Sequence, residues 1–180
     1  MAEVLLSSEN AIKATTSISD NVSSKYILSA LREAQEVSLK GIIGVAMLDK
    51  LKALVEDKKV DDPENERYKN LIGKCQYYLA YMTIVELIGR VSYKIGNAGL
   101  VKASDENLQV ASLQEIVSQK DFYQGKADYF RLELQQYILD DMADYPEVNE
   151  VIFRRLRSNL NSAASCGLFL GGARGKRRSR

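Results

Sequence analysis

The chain has 180 residues, of which 46% are hydrophobic and 27% charged, with a formal net charge of +1; this suffices for one compact domain or for a domain plus an arm, and a globule of this size needs no disulfide scaffold. It contains no histidine, which removes the commonest general base and the commonest metal ligand. Its two cysteines, Cys75 and Cys166, lie far apart without a CxxC partner, which argues against a structural zinc site.

Only two prolines and eleven glycines interrupt the chain, a composition that favours long helices. Residues 1–24 are rich in Ser, Thr and Asn and read as an extended N-terminal lead-in, closed by a turn and cap at Asp20-Asn21-Val22-Ser23-Ser24. From Ser24 to Leu39, Ile27, Leu31, Ala34 and Val37 fall at helical spacing. Gly41 and Gly44 bracket Ile42-Ile43 in a tight joint. A second helix spans about Val45 to Glu56, with Leu48, Leu51, Leu54 and Val55 on one side. After a polar loop ending in Pro63, a helix-starting residue, a long third helix covers about Glu64 to Val91. Its stripe is Tyr68, Leu71, Ile72, Cys75, Leu79, Met82, Val85 and Ile88, which makes Cys75 and Met82 core residues. Two short alternating runs flank Gly96-Asn97-Ala98-Gly99 and read as a small β-hairpin at about 92–102; two strands alone are marginal, so it has to lean on helices or on another chain. A fourth helix opens with the capping box Ser112-Leu113-Gln114-Glu115 and runs as far as Asp144, with Tyr123, Ala127, Phe130, Leu134, Tyr137 and Ile138 stepping by three and four. At 1.5 Å per residue it is about 50 Å long, against a radius of gyration of about 16 Å for a domain of this size, so it bends, at Gly125, or projects. A last helix occupies about Glu147 to Leu160. The expected architecture is mainly α: a bundle of four to five helices with one long helix and a small hairpin over residues 25–160, followed by a flexible Gly/Arg-rich basic arm over 161–180.

The net charge hides an asymmetry. Residues 151–180 carry a charge of +8 and no acid, and the first 150 residues carry −7. Within the arm, Gly167-Leu168-Phe169-Leu170-Gly171-Gly172 sets an apolar triplet between glycines, which give a flexible joint. A Leu-Phe-Leu anchor left in water is unfavourable, so a groove on this chain or a neighbour is expected to receive it. Arg174, Lys176, Arg177, Arg178 and Arg180 then supply a basic end for nucleic acid or an acidic protein surface. No aromatic follows Phe169, which favours sequence-blind phosphate contacts over base readout. Ten tyrosines against four phenylalanines and no tryptophan suit half-wet interfaces and equally the edges of amphipathic helices.

The search for chemistry excludes most enzymes. A Ser-His or Cys-His nucleophile lacks its base. Asp140-Asp141 and Asp61-Asp62 are adjacent pairs at loop or helix ends, and neighbours on a helix do not face each other. Gly171-Gly172-Ala173-Arg174-Gly175-Lys176-Arg177 departs from a phosphate loop in spacing and in the residue after Lys176. No catalytic residue, cofactor or metal site is expected. No apolar run reaches the roughly 18 residues of a spanning helix, and the N-terminal residues lack the basic start of a signal peptide, so no membrane partner is expected.

The segment Lys25-Tyr26-Ile27 … Leu31-Arg32-Glu33-Ala34-Gln35-Glu36, followed by Leu39-Lys40-Gly41-Ile42-Ile43-Gly44 and Met47-Leu48-Asp49-Lys50-Leu51, resembles the opening of head–tail connector proteins of tailed bacteriophages, also called neck, adaptor or head-completion proteins. There an IxxAQ helix leads into an LxxxLG joint; here Leu31 takes the Ile place and Ile43 the second Leu place. The stretch Tyr93-Lys94-Ile95-Gly96-Asn97-Ala98-Gly99-Leu100-Val101 … Ser104-Asp105-Glu106-Asn107 … Ala111-Ser112-Leu113 is similar to the Bacteroides-phage branch, including crAss-like phages. The resemblance covers about residues 18–140. Gly41 stands where the family often has Pro, and the arm beyond residue 160 lies outside the shared core. The resemblance implies a virion protein of the neck between capsid and tail, a homo-oligomeric ring of about twelve copies that meets the portal protein and other neck or tail proteins and lines the DNA exit channel. In such a ring the hairpin residues Tyr93, Ile95, Leu100 and Val101 would meet a neighbouring subunit. The arm residues Leu168, Phe169, Leu170, Arg174, Lys176, Arg177, Arg178 and Arg180 would dock on the portal, with non-specific contact to packaged DNA. The runner-up is a nucleic-acid-binding helical protein that uses the same arm.

Overall fold

The computed structural model describes residues 4–96, 99–102, 112–141, 144–148, 152, 154 and 158. The fold is mainly helical. Helix α1 is Glu9–Thr15, α2 Ser24–Glu33, α3 Lys40–Ile43, α4 Val45–Glu56, α5 Glu66–Ser92 and α6 Leu113–Asp140; a π-helical turn, Ala34–Leu39, joins α2 to α3, and a 3₁₀ turn at Pro63–Asn65 leads into α5.

The lead-in is not extended throughout. Ser8 caps α1 by accepting the Ala11 N–H at 3.2 Å, Glu9 pairs with Lys13 across one turn at 2.8 Å, and Ile12 is fully buried. One buried side chain and one ion pair hold a helix too short to show a periodic signal.

From Ser24 to Ile43 the chain is helical without a break, and Gly41 lies inside α3 rather than at a joint. The joint is Gly44 alone, at φ +85°, a backbone state glycine adopts without steric cost. Ile27, Leu31 and Ala34 are fully buried, but Val37 is 67% exposed and the buried positions beside it are Gln35 and Leu39. The π turn is the reason: its i→i+5 bonding holds one more residue per turn, so a stripe counted at α-helical spacing drifts off the core by position 37.

Helix α5 is the centre of the molecule. Tyr68, Leu71, Ile72, Cys75, Tyr78, Leu79, Ala80, Thr83, Ile84, Val85 and Leu87 are all buried, so the helix is covered on most of its circumference, as a central core helix is. It packs against α1, α2, the π turn and, most extensively, α6. Burial pushes the Cys75 thiol and the Tyr78 hydroxyl each up to about 12, which keeps both protonated and leaves Cys75 an apolar core residue. Met82 is partly buried against the same core.

Helix α6 starts as its sequence dictates. Ser112 accepts from the Glu115 N–H and the Glu115 carboxylate accepts from the Ser112 N–H, a complete capping box,. The helix ends at Asp140, four residues short of the expected end. Beyond it the chain folds back on the start of α5: Tyr145 is buried, its hydroxyl donates to the Arg67 carbonyl at 3.2 Å, and the Tyr68 hydroxyl donates to Glu147 at 2.8 Å. Between α5 and α6 the backbone of Tyr93–Gly96 runs antiparallel to Gly99–Lys102, with Tyr93 opposite Lys102 and Ile95 opposite Leu100. Residues 97–98, the side chains of 91–102, most of the expected last helix and the whole arm lie outside the described residues.

Candidate interaction surface

Two structural facts build the surface. The first is geometric. Tyr77 and Tyr81 are four residues apart on α5 and share a face. Phe130 of α6 stacks on both, with ring centroids 5.5 and 5.2 Å away and interplanar angles of 14° and 6°. Tyr129 meets Phe130 edge-on at 5.2 Å and donates its hydroxyl to Glu133 at 2.9 Å. The Lys126 ammonium lies 4.6 Å from the Phe122 ring centre and 5.4 Å from that of Tyr81. Phe122, Lys126, Tyr129 and Glu133 therefore continue one flank of α6 at spacings of four, three and four, and each aromatic pair adds about 0.5–1.5 kcal/mol beyond its burial.

The second is exposure. Phe122, Tyr129 and Tyr77 are each more than half exposed. Over residues 113–122 only Ile116 is even half-buried; Leu113 is 64% and Val117 48% exposed. About three turns of α6 thus stand clear of the core. Scattered surface apolar residues are ordinary, whereas aromatic and aliphatic side chains gathered on one projecting element mark a contact surface. Aromatic side chains with polar tips are the type enriched where proteins meet.

The sequence-predicted sites are elsewhere. Leu168, Phe169, Leu170, Arg174, Lys176, Arg177, Arg178 and Arg180 lie outside the described residues, as do the side chains of Tyr93, Ile95, Leu100 and Val101. Spacing alone places Tyr123 and Phe130 in a core stripe and gives no sign of the α5–α6 surface. A signal was present in the doublets Phe122-Tyr123 and Tyr129-Phe130: adjacent residues on a helix point about 100° apart, so on a helix covered along one face only, one aromatic of each pair lies towards solvent.

Among the described residues, no group of His, Cys, Asp and Glu is placed to hold a metal ion, and no helix is long and apolar enough to cross a membrane. A family model described as a family of unknown function, DUF6712, matches residues 39–152, well over half of the chain. The chain belongs to the DUF6712 family. No curated protein and no solved structure matches it. The DUF6712 region begins at the last residue of the π turn and takes in α3 to α6, so the α5–α6 aromatic surface is wholly DUF6712 sequence. The N-terminal segment, α1 and α2 precede it, and the basic arm follows it.

Proposed function

We propose that this protein is a structural virion component, not an enzyme, that forms a ring in the neck of a tailed phage, joins the portal to the tail and lines the DNA exit channel. The observation that carries the reading is the projecting start of α6, on which Leu113, Val117 and Phe122 are uncovered. A ring protomer has to present flanks that a neighbouring copy covers. Two further features support it: the motif resemblance over residues 18–140, and the charge of −7 on the first 150 residues, which suits a channel wall that does not hold DNA. In this reading the hairpin at about 92–102 adds a second subunit contact through Tyr93, Ile95, Leu100 and Val101. Leu168, Phe169 and Leu170 anchor the arm on the portal, and its basic end meets acidic portal surface or packaged DNA.

Electron microscopy of the protein mixed with its portal tests the reading: rings are expected, and a chain that stays monomeric with portal present contradicts it. Phe169→Ala should weaken arm docking more than Arg180→Ala, because a buried aromatic anchor outweighs a rim charge. The +8 charge of residues 151–180 favours one other reading, a nucleic-acid-binding helical protein. That reading requires DNA affinity that falls steeply with salt and is lost when residues 171–180 are removed, whereas a connector keeps its portal contact at high salt.

A further inference from the structure

Residues 4–7 lie against the body of the protein as a short strap that bends at Leu6 and Ser7, held by two glutamines that read its main chain. Gln35 Oε1 accepts the Leu6 N–H at 2.8 Å, and Gln35 Nε2 donates to the Val4 carbonyl at 3.0 Å. Gln76 of α5 donates to the Leu6 carbonyl at 2.8 Å. Gln35 is fully buried, and Leu6 and Ser7 are buried with it. The π turn directs the Gln35 amide inward, and Glu36 takes a further Gln35 N–H at 3.2 Å, so every Gln35 donor and its carbonyl are used. Without a strap the Gln35 carbonyl and one of its N–H groups, and the half-buried Gln76 amide, would lose their protein partners. The seat therefore reads main chain, and of the strap's side chains it holds Leu6 and, in part, Leu5; the buried Ser7 hydroxyl finds no partner among the described residues.

We propose that this seat is a peptide-binding site in its own right, and that its ligand, residues 4–16, passes between copies of this chain. The strap and α1 form one unit, packed on α2 and α5 and tied to the body by Thr16–Ser23. In that loop residues 17, 19, 20, 21 and 23 are exposed, and its hydrogen bonds are local, such as the Val22 N–H to the Ser19 carbonyl at 3.2 Å. Eight extended residues reach about 26–29 Å. The seat makes the same contacts whichever copy supplies the strap, so occupancy follows effective concentration: the chain's own strap when dilute, a neighbour's when copies are held side by side. The inference goes beyond the connector reading and does not need a ring.

Complementation between two full-length variants tests it. One carries Leu6→Asp, a spoiled strap on an intact seat; the other carries Gln35→Met with Gln76→Met, a spoiled seat with an intact strap. With Phe122→Asp added to both so that the α5–α6 contact does not contribute, each alone should stay monomeric, and an equimolar mixture at about 100 µM should form a one-to-one pair, since neighbouring sites in an assembly sense millimolar effective concentrations. A fluorescent peptide of residues 1–16 should bind the Leu6→Asp chain at least tenfold more tightly than wild type, whose seat is filled. A peptide with Ser7→Ala should bind at least as well. If Leu6→Asp unfolds the chain, Leu6→Ala replaces it in both measurements. No pair and no peptide binding by folded variants would overturn the proposal and leave the connector reading untouched; peptide binding without a pair would overturn exchange between copies.

Discussion

Ile152 occupies the space that a side chain at position 44 would need. A β-carbon built on Gly44 lies 2.0 Å from Ile152 Cδ1, and the Gly44 backbone sits at φ +85°. Ile152 thus closes over the joint between α3 and α4. Gly44→Ala combines left-handed strain with a clash and should destabilise the fold by about 2–4 kcal/mol. Gly41→Ala, inside a helix with nothing within 4 Å of the added carbon, should stabilise it by about 0.5–1 kcal/mol. Urea midpoints of the two variants should move in opposite directions.

Gln135 is 1% exposed, and neither end of its amide has a hydrogen-bond partner among the described residues. Burial without a partner is costly, and replacement by an apolar side chain of similar volume removes the penalty. Gln135→Met should raise stability by about 1–3 kcal/mol in chemical denaturation, the reverse of the usual sign for a core substitution.

Glu36 links the strap seat to α4 through its pair with Lys52. Burial alone would raise its carboxyl, but hydrogen bonds from Lys52 and Gln35 and the charges of Lys52 and Lys40 outweigh it and hold the group below its ordinary 4.5. A carboxyl depressed in the folded state contributes stability that is present above its ordinary value and disappears as pH falls through the folded-state value. Glu36→Gln should therefore lose less stability than wild type between pH 7 and about pH 3.5, read as the shift of the unfolding midpoint.

The α5–α6 surface separates contact from folding. Phe130 is sandwiched by two tyrosines, so Phe130→Ala should cost about 2–4 kcal/mol of stability. Val117→Asp and Phe122→Asp, on the projecting turns of α6, should leave the unfolding midpoint nearly unchanged, within about 0.5 kcal/mol, and should abolish self-association at the concentration where the wild-type chain associates. Urea unfolding of the three variants reads the first effect and sedimentation the second.

Much of the helical order was legible because long helices average out local exceptions. The α5 stripe from Tyr68 to Val85 and the capping box at Ser112 follow from spacing and cap chemistry alone. Positions that deviated did so for short-range reasons. Seven residues around Ile12 make too short a helix to produce a period. Val37 lies just past the point where the π turn adds a residue, so counting by 3.6 assigned it to the core. Gly41 resembled a joint because two glycines flank an apolar pair, yet only Gly44 adopts a conformation that needs glycine. The strap seat had no sequence signal, since a glutamine that reads main chain 29 residues away is indistinguishable from one facing solvent.

The π turn also makes the chain before Gly44 intolerant of length changes. Removing any one residue from 34 to 39 would let the helix wind evenly, and each residue supplies about 100° of rotation. Everything between the deletion and the joint would be re-phased, turning Ile42 and Ile43 out of the interior or taking Gln35 away from its partner. Single-residue gains and losses among homologous chains are accordingly expected in the Asp57–Asp62 loop, where an added residue is absorbed by solvent, and absent from 34–43, where it would be transmitted to every side chain downstream.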